Sequence, residues 1–306
     1  LVDLQPTDIV YDPACGTGGF LVSAFSKMKD QLENNQKALT NLKLHQIIGC
    51  DSEDSGKIPA LAVVNMIFRG DGRSNIYNEN CFTFDKFGSS HFATKVLMNP
   101  PYSLKDEPET MFIDYALKSC KEGGTFAAIL PCSVLCQKSL SKWRKSLISN
   151  HTIDAVITMP GDLFAPTNVN TCIIICKAHI PHNNKKVFFA RIDNDGYIVK
   201  RKKRIEKSGS QLPKVLKYYR LKNIDKNADC NIKGFMSYRK LDASDFLVEL
   251  VPEAYLDSPD YNSYDINALS EQLMREYLSF NFKYYPYLNN ISKSNFKNSS
   301  NTKQFS

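Results

Sequence analysis

What the sequence does not contain narrows the field first. None of the nine cysteines, at positions 15, 50, 81, 120, 132, 136, 172, 176 and 230, is part of a C-x-x-C pair, so no zinc site and no other metal is expected. Several lie in apolar runs such as Cys172-Ile173-Ile174-Ile175-Cys176, where a reduced, packed thiol is the default, and a cytoplasmic, reducing compartment fits. No apolar run is long enough to span a bilayer, so no membrane partner is expected. The opening LVDLQPTDIV has neither a charged leader nor an apolar core, which excludes a signal peptide. It also has no initiating methionine, so the chain is expected to be a piece of something longer. There is no internal repeat, and nothing looks like a base-reading recognition helix.

What is present is ordinary in bulk. The 306 residues are 42% hydrophobic and 23% charged, enough for one large domain or two small ones. A formal net charge of +7 is compatible with a polyanionic partner without identifying one.

Short apolar runs alternate with helical patterns over the first 180 residues or so. Strands are predicted near residues 8–11, 44–50, 74–77, 96–98, 124–130, 153–158 and 171–176, and helices near 19–34, 58–66, 111–120 and 140–149. Such alternation, with strands apolar throughout, predicts an α/β fold with a doubly wound parallel sheet covered on both faces. Ligands in such sheets bind at the carboxyl ends of the strands. After residue 185 the rhythm changes. VFFARIDNDGYIVKRKKRIEK reads as a hairpin turning at Asp195-Gly196, residues 200–204 are a basic run, 265–280 reads as helix, and the tail from 289 reads as disordered.

Two turns stand out at strand ends. DPACGTGGF, residues 12–20, follows the first strand and opens a helix. Its glycines allow a tight turn and close backbone approach, but their spacing is not G-x-G-x-x-G, so a dinucleotide fingerprint is a poor match. An acid before the turn disfavours a phosphate and favours a positive amino group. Asp51 ends the second strand, where a carboxylate can accept both hydroxyls of a ribose; Glu53 is the poorer substitute. A nucleoside with an amino-acid tail describes S-adenosylmethionine. A plain strand–helix turn with solvated acids stays open at this point.

The second turn is Asn99-Pro100-Pro101-Tyr102, after the fourth strand. Prolines cannot continue a ladder, Asn99 offers an amide on a short stem, and Tyr102 offers a flat apolar face with a polar tip. Together they suit a planar group bearing an amine; a mere strand end with a turn is the alternative.

In this order, DPACGTGGF, IIGCD and NPPY resemble the N6-adenine DNA methyltransferases, and best the modification subunits of type I restriction–modification systems. GGTFAAILPCSVL, AVITMPGDLFAPTNVNTCIIICK and NDGYIVKRKKR extend the resemblance to about residue 205. It implies a Rossmann-like, mostly parallel S-adenosylmethionine-dependent methyltransferase sheet over residues 1–185, a C-terminal extension over 186–285 and a disordered tail over 286–306. Asp12, Gly16 and Gly18 then line the methionine end of S-adenosylmethionine, Phe20 packs close by, and Ala14, Thr17 and Gly19 complete the cofactor turn. Asp51 holds the ribose. Asn80 falls where the family usually has an aspartate touching the cofactor's adenine, which is a departure. Asn99, Pro100, Pro101 and Tyr102 form the catalytic bracket, and Phe164 falls where a second aromatic stacks on the target base.

The expected reaction is site-specific methylation of adenine N6 in double-stranded DNA. The resemblance implies a separate specificity subunit and a second modification subunit as partners, with a restriction subunit as a further candidate. The family's helical N-terminal domain and its phenylalanine–tyrosine–threonine–proline-like motif are absent from these residues. The basic run suits phosphate contacts or a solvated loop equally. Rival readings are a glutamine-N5 protein methyltransferase, which shares NPPY, an RNA adenine methyltransferase, and a truncated, non-catalytic scaffold of a DNA complex.

Overall fold

The chain builds around β1 (Val10–Asp12), a buried strand of three residues that the DPACGTGGF turn joins to α1 (Gly19–Asp30). The computed structural model describes residues 1–257 and 270, apart from 34, 54, 72–74, 84–90, 165–168, 201–202, 225–229, 242–244 and 246. Next come α2 (Gln36–Asn41), one π-turn (Leu42–Gln46), β2 (Ile47–Asp51), α3 (Lys57–Phe68), β3 (Asn75–Asn78) and β4 (Ala93–Met98). Then follow α4 (Glu109–Ser119), β5 (Cys120–Pro131), α5 (Cys132–Cys136), α6 (Ser141–Asn150), β6 (Thr152–Thr158) and β7 (Thr171–Lys177). The described residues close with β8 (Lys186–Arg191), β9 (Tyr197–Lys200), β10 (Lys203–Glu206), α7 (Leu212–Ile224) and β11 (Met236–Lys240).

Nine strands make one sheet in the order β11-β8-β6-β7-β5-β4-β1-β2-β3. The run from β5 to β3 is parallel throughout. β7 is antiparallel to both β5 and β6, and β11 is antiparallel to β8. The expected α/β, doubly wound, mostly parallel sheet is therefore present. The boundary expected at residue 185 falls inside this sheet, because β8 pairs in parallel with β6.

Strand residues alternate between two cores. Val96, Met98, Phe126 and Ala128 point to the side packed by Phe112, Ile113 and Ala116 of α4 and Leu147 of α6. Leu97, Ala127 and Ile175 point to the side of Leu21, Phe25 and Met28 of α1 and Val215 of α7. Cutting one such buried side chain to alanine costs about 2–5 kcal/mol. α3 differs, since only Pro59, Ala62 and Met66 are buried while Ile58, Leu61, Val64, Ile67 and Phe68 face outward.

Three local expectations change. The helix expected to run to residue 34 stops at Asp30, and α2 with the π-turn fills the stretch before β2. The hairpin does not turn at Asp195-Gly196. Val187–Arg191 is drawn into the main sheet, and the hairpin proper pairs β9 with β10, Lys203 opposite Lys200. Asp195 instead takes the Arg204 guanidinium, which also stacks 4.6 Å above Tyr197. The helix and tail expected beyond residue 264 lie outside the described residues, except Ser270. Among the described residues no helix is long and apolar enough to cross a membrane, and no group of three metal-ligating side chains is found.

Candidate active site

β1 lies between β2 and β4, so chain order diverges on its two sides. This is the switch point at which doubly wound sheets open a crevice beyond the carboxyl ends of their strands. Tyr11 is in register with Val96, and parallel neighbours sit roughly 4.8 Å apart. The two distinctive turns thus leave the sheet side by side, one just beyond Tyr11 and the other just beyond Met98.

The first turn is held from below. Cys15 N–H donates to the Cys50 carbonyl at 3.0 Å and Gly18 N–H to the Cys15 carbonyl at 2.8 Å. Gly16 and Gly18 have φ of 53° and 82°, the left-handed region that other residues enter only with strain. At Gly18 a Cβ would also meet the Ala62 Cβ at 3.4 Å, whereas at Gly16 the space is open. The open side of Gly16 is where a ligand can press against backbone. Thr17 is fixed through its carbonyl, which accepts from Asn65 Nδ2 at 2.9 Å.

Two carboxylates flank this turn. Asp12 is buried, and its Oδ1 accepts from Ala14 N–H at 3.1 Å. Burial pushes its carboxyl up to about 8, the Ala14 N–H pulls the other way, and Asp51 adds repulsion. Asp51, half-buried, accepts Gly16 N–H on Oδ2 at 2.7 Å. Burial raises its carboxyl too, against the pull of that N–H. Two destabilised carboxylates around exposed glycine backbone form a donor set suited to an ammonium and a diol. Glu53 is engaged differently, accepting Ile58 N–H at 2.8 Å at the start of α3. An open cleft of about 470 Å³ beside α1 and α3 shares Thr17 and Gly19 with the turn but is lined by neither carboxylate and not by Tyr102.

Asn80 follows β3. Its Oδ1 accepts Phe82 N–H at 2.9 Å and its Nδ2 donates to Glu107 Oε1 at 2.9 Å. Beyond β4, Pro100 is buried and Pro101 exposed. Tyr102 Oη donates to Asn99 Oδ1 at 2.7 Å, with the Ile129 carbonyl 3.3 Å away. Burial raises the Tyr102 phenol, which keeps it protonated and a donor. The Phe164 ring stands edge-on to that of Tyr102, centroids 6.2 Å apart at 87°. The structure therefore brings Asn99, Pro100, Pro101, Tyr102 and Phe164 together at one rim, with Asp12, Ala14, Gly16, Thr17, Gly18, Gly19 and Asp51 on the adjacent strand ends. Phe20 packs at the margin of the α1 core.

Sequence reasoning missed Glu107 and Glu109, which act on the segment after Tyr102. Glu109 Oε1 accepts from Ser103 N–H at 2.8 Å, and Ser103 has a φ of 59°. Two acids flanking Pro108 were the available signal.

Comparison with known proteins places these features in context. A family model described as N-6 DNA Methylase matches residues 1–249. The chain is 38% identical over 211 residues to the type II restriction enzyme and methyltransferase RM.BcgI of Heyndrickxia coagulans, covering 66% of this chain and 33% of that protein. It is 24% identical over 206 residues to the type I restriction enzyme EcoEI methylase subunit of Escherichia coli, covering 61% and 41% respectively. Among solved structures, the type I restriction–modification system methyltransferase subunit from Streptococcus thermophilus shares the fold with a TM-score of 0.57 at 22% identity, covering 76% of this chain and 50% of that one. The chain spans between a third and a half of the length of these relatives.

Proposed function

The chain belongs to the N-6 DNA methylase family, and from that premise we propose that it is the catalytic core of a DNA adenine-N6 methyltransferase of a restriction–modification system. The observation that carries this reading is the placement of the Asn99–Tyr102 pair beside the Asp12–Gly16 turn at the β1/β4 switch point.

S-adenosylmethionine, when bound, supplies a methyl group on a sulfonium. The residues for holding it are those of the first turn. Ionised Asp12 faces the ammonium, Gly16 and Gly18 let the backbone approach, and Asp51 accepts from the ribose hydroxyls. The buried carboxyl of Asp12 supports this assignment, because an ammonium beside it would remove the reason for its raised proton affinity.

The amine of adenine is a poor nucleophile, since its lone pair is delocalised into the ring. Asn99 Oδ1 and the Pro100 carbonyl accept its two hydrogens and localise that pair. An amide oxygen has two lone pairs, so Asn99 can hold Tyr102 and the amine together. The Tyr102 bond fixes the amide before the base arrives, and prearranged acceptors of this kind favour the transition state over the ground state. The target base is extruded from the duplex, which costs a few kcal/mol. The faces of Tyr102 and Phe164 recover part of that by stacking. A specificity subunit, a second modification subunit and a restriction subunit are the partners this reading carries with it.

The deciding experiment offers the chain radiolabelled S-adenosylmethionine with adenine-containing duplex DNA, RNA and protein extract. Label on N6-methyladenine in DNA supports the reading. Label confined to protein or RNA, or calorimetry with no heat of cofactor binding, overturns it.

A further inference from the structure

We propose that Glu107 recognises the exocyclic amine of the cofactor's own adenine, with Asn80 as the residue that positions it; this rests on the cofactor reading above. The family's usual aspartate would accept that amine directly, and the chain has an amide there. The amide's orientation is settled by its neighbours. Phe82 N–H, a donor, lies 2.9 Å from one terminal atom of Asn80, so that atom is the oxygen and its capacity is turned toward the chain's own backbone. The NH₂ therefore points the other way. A donor cannot accept an amine's hydrogen, so Asn80 cannot do the aspartate's work.

It does something else. Its Nδ2 donates to Glu107 Oε1 at 2.9 Å, bringing a carboxylate to the place an aspartate would have filled. A carboxylate only accepts, with about four lone-pair positions on its two oxygens. Among the described residues Glu107 Oε2 has no recorded partner. The place is right for a purine, because Glu79 N–H donates to the Asp51 carbonyl at 3.0 Å. The backbone carrying Asn80 is thereby tied to the residue assigned to the ribose.

The substitution also changes what the contact is attached to. Glu107 lies five residues beyond Tyr102, in the segment pinned at its start by the Ser103–Glu109 bond. Reading the amine through Glu107 joins the cofactor pocket to the segment that carries the target-base aromatic.

The test is calorimetric titration of the chain with S-adenosylhomocysteine and with its 6-oxo counterpart S-inosylhomocysteine, which has no amine. The unaltered chain should prefer the amine-bearing ligand at least tenfold. Glu107→Gln should weaken S-adenosylhomocysteine about tenfold and bring the preference to within about threefold, because an amide serves a carbonyl as well as an amine. Adding Asn80→Asp to Glu107→Gln should restore the preference, since the acid then accepts directly. An undiminished preference in Glu107→Gln overturns the role of Glu107 and leaves the cofactor reading standing. Failure of the unaltered chain to bind either ligand overturns both.

Discussion

Tyr102 donates its hydroxyl hydrogen to the side-chain oxygen of Asn99 at 2.7 Å, so the two polar groups of the bracket are joined to each other before any base is present. Removing the partners separately should therefore give different results. Asn99→Ala should abolish methyl transfer while cofactor affinity stays within about twofold. Tyr102→Phe keeps the ring but loses the bond, worth about 0.5–1.5 kcal/mol, so turnover should fall roughly 3–10-fold. Steady-state kinetics on duplex DNA, paired with cofactor titration, check both. Near-normal turnover in Asn99→Ala would sink the bracket reading.

Asp51 is both a ligand acceptor and the partner of Gly16 N–H. Asp51→Ala should weaken cofactor binding by about 1.5–3 kcal/mol, the scale of a charge-assisted pair. Unchanged affinity by calorimetry would remove Asp51 from the site.

Asp12 predicts a pH dependence whose sign can be worked out. Its carboxyl is pushed up to about 8 in the folded chain, against about 3.9 for an unfolded aspartate. Between those values the folded state binds more protons, so Asp12 lowers stability as pH rises from 4 to 8, by at most about 1.4 kcal/mol per unit. Asp12→Asn should flatten this slope in denaturant titrations at pH 5 and pH 8. Binding S-adenosylmethionine near pH 7 should also release a proton from Asp12. Titrations in buffers of different ionisation enthalpy should then give different apparent heats, and identical heats would refute the assignment.

Arg144 is fully buried with no carboxylate bonded to it, and it serves as a clasp. Its guanidinium donates to the carbonyls of Val134 and Gln137 beside α5 and of Leu247 and Val248 a hundred residues on. Arg144→Met leaves those acceptors stranded and should cost about 3 kcal/mol or more. Thermal melts of the two proteins decide the point, and a midpoint shift under about 2 °C would exclude a clasp.

Much of the catalytic rim was legible because its two turns are built from residues with narrow conformational or chemical purposes. Gly16 and Gly18 need φ > 0, and Pro100-Pro101 cannot pair. Strands such as Ile153–Thr158 and Thr171–Cys176 were legible as apolar runs, but a run carries no direction, so the reversal of β7 was hidden. The hairpin was misplaced because Asp195-Gly196 is a strong turn signal and Val187–Arg191 has the same apolar content whether it joins a hairpin or a buried sheet. Glu107 was invisible because its meaning depends on Asn80, 27 residues earlier, and no local pattern reports a side chain's partner at that separation. α7, whose Tyr219 and Lys222 close on Asp154 of β6, was hidden for the same reason.

The reversal of β7 has an architectural consequence. A strand running against its neighbours begins where β6 ends, so the chain passes over the rim once more without a helix having to carry it back. That passage delivers Phe164 opposite Tyr102. Its length is uncoupled from the layers beneath, because both flanking strands are anchored by their own ladders. Residues can be inserted, removed or exchanged there while the sheet keeps its register, which makes this stretch the natural place to re-tailor what the mouth admits.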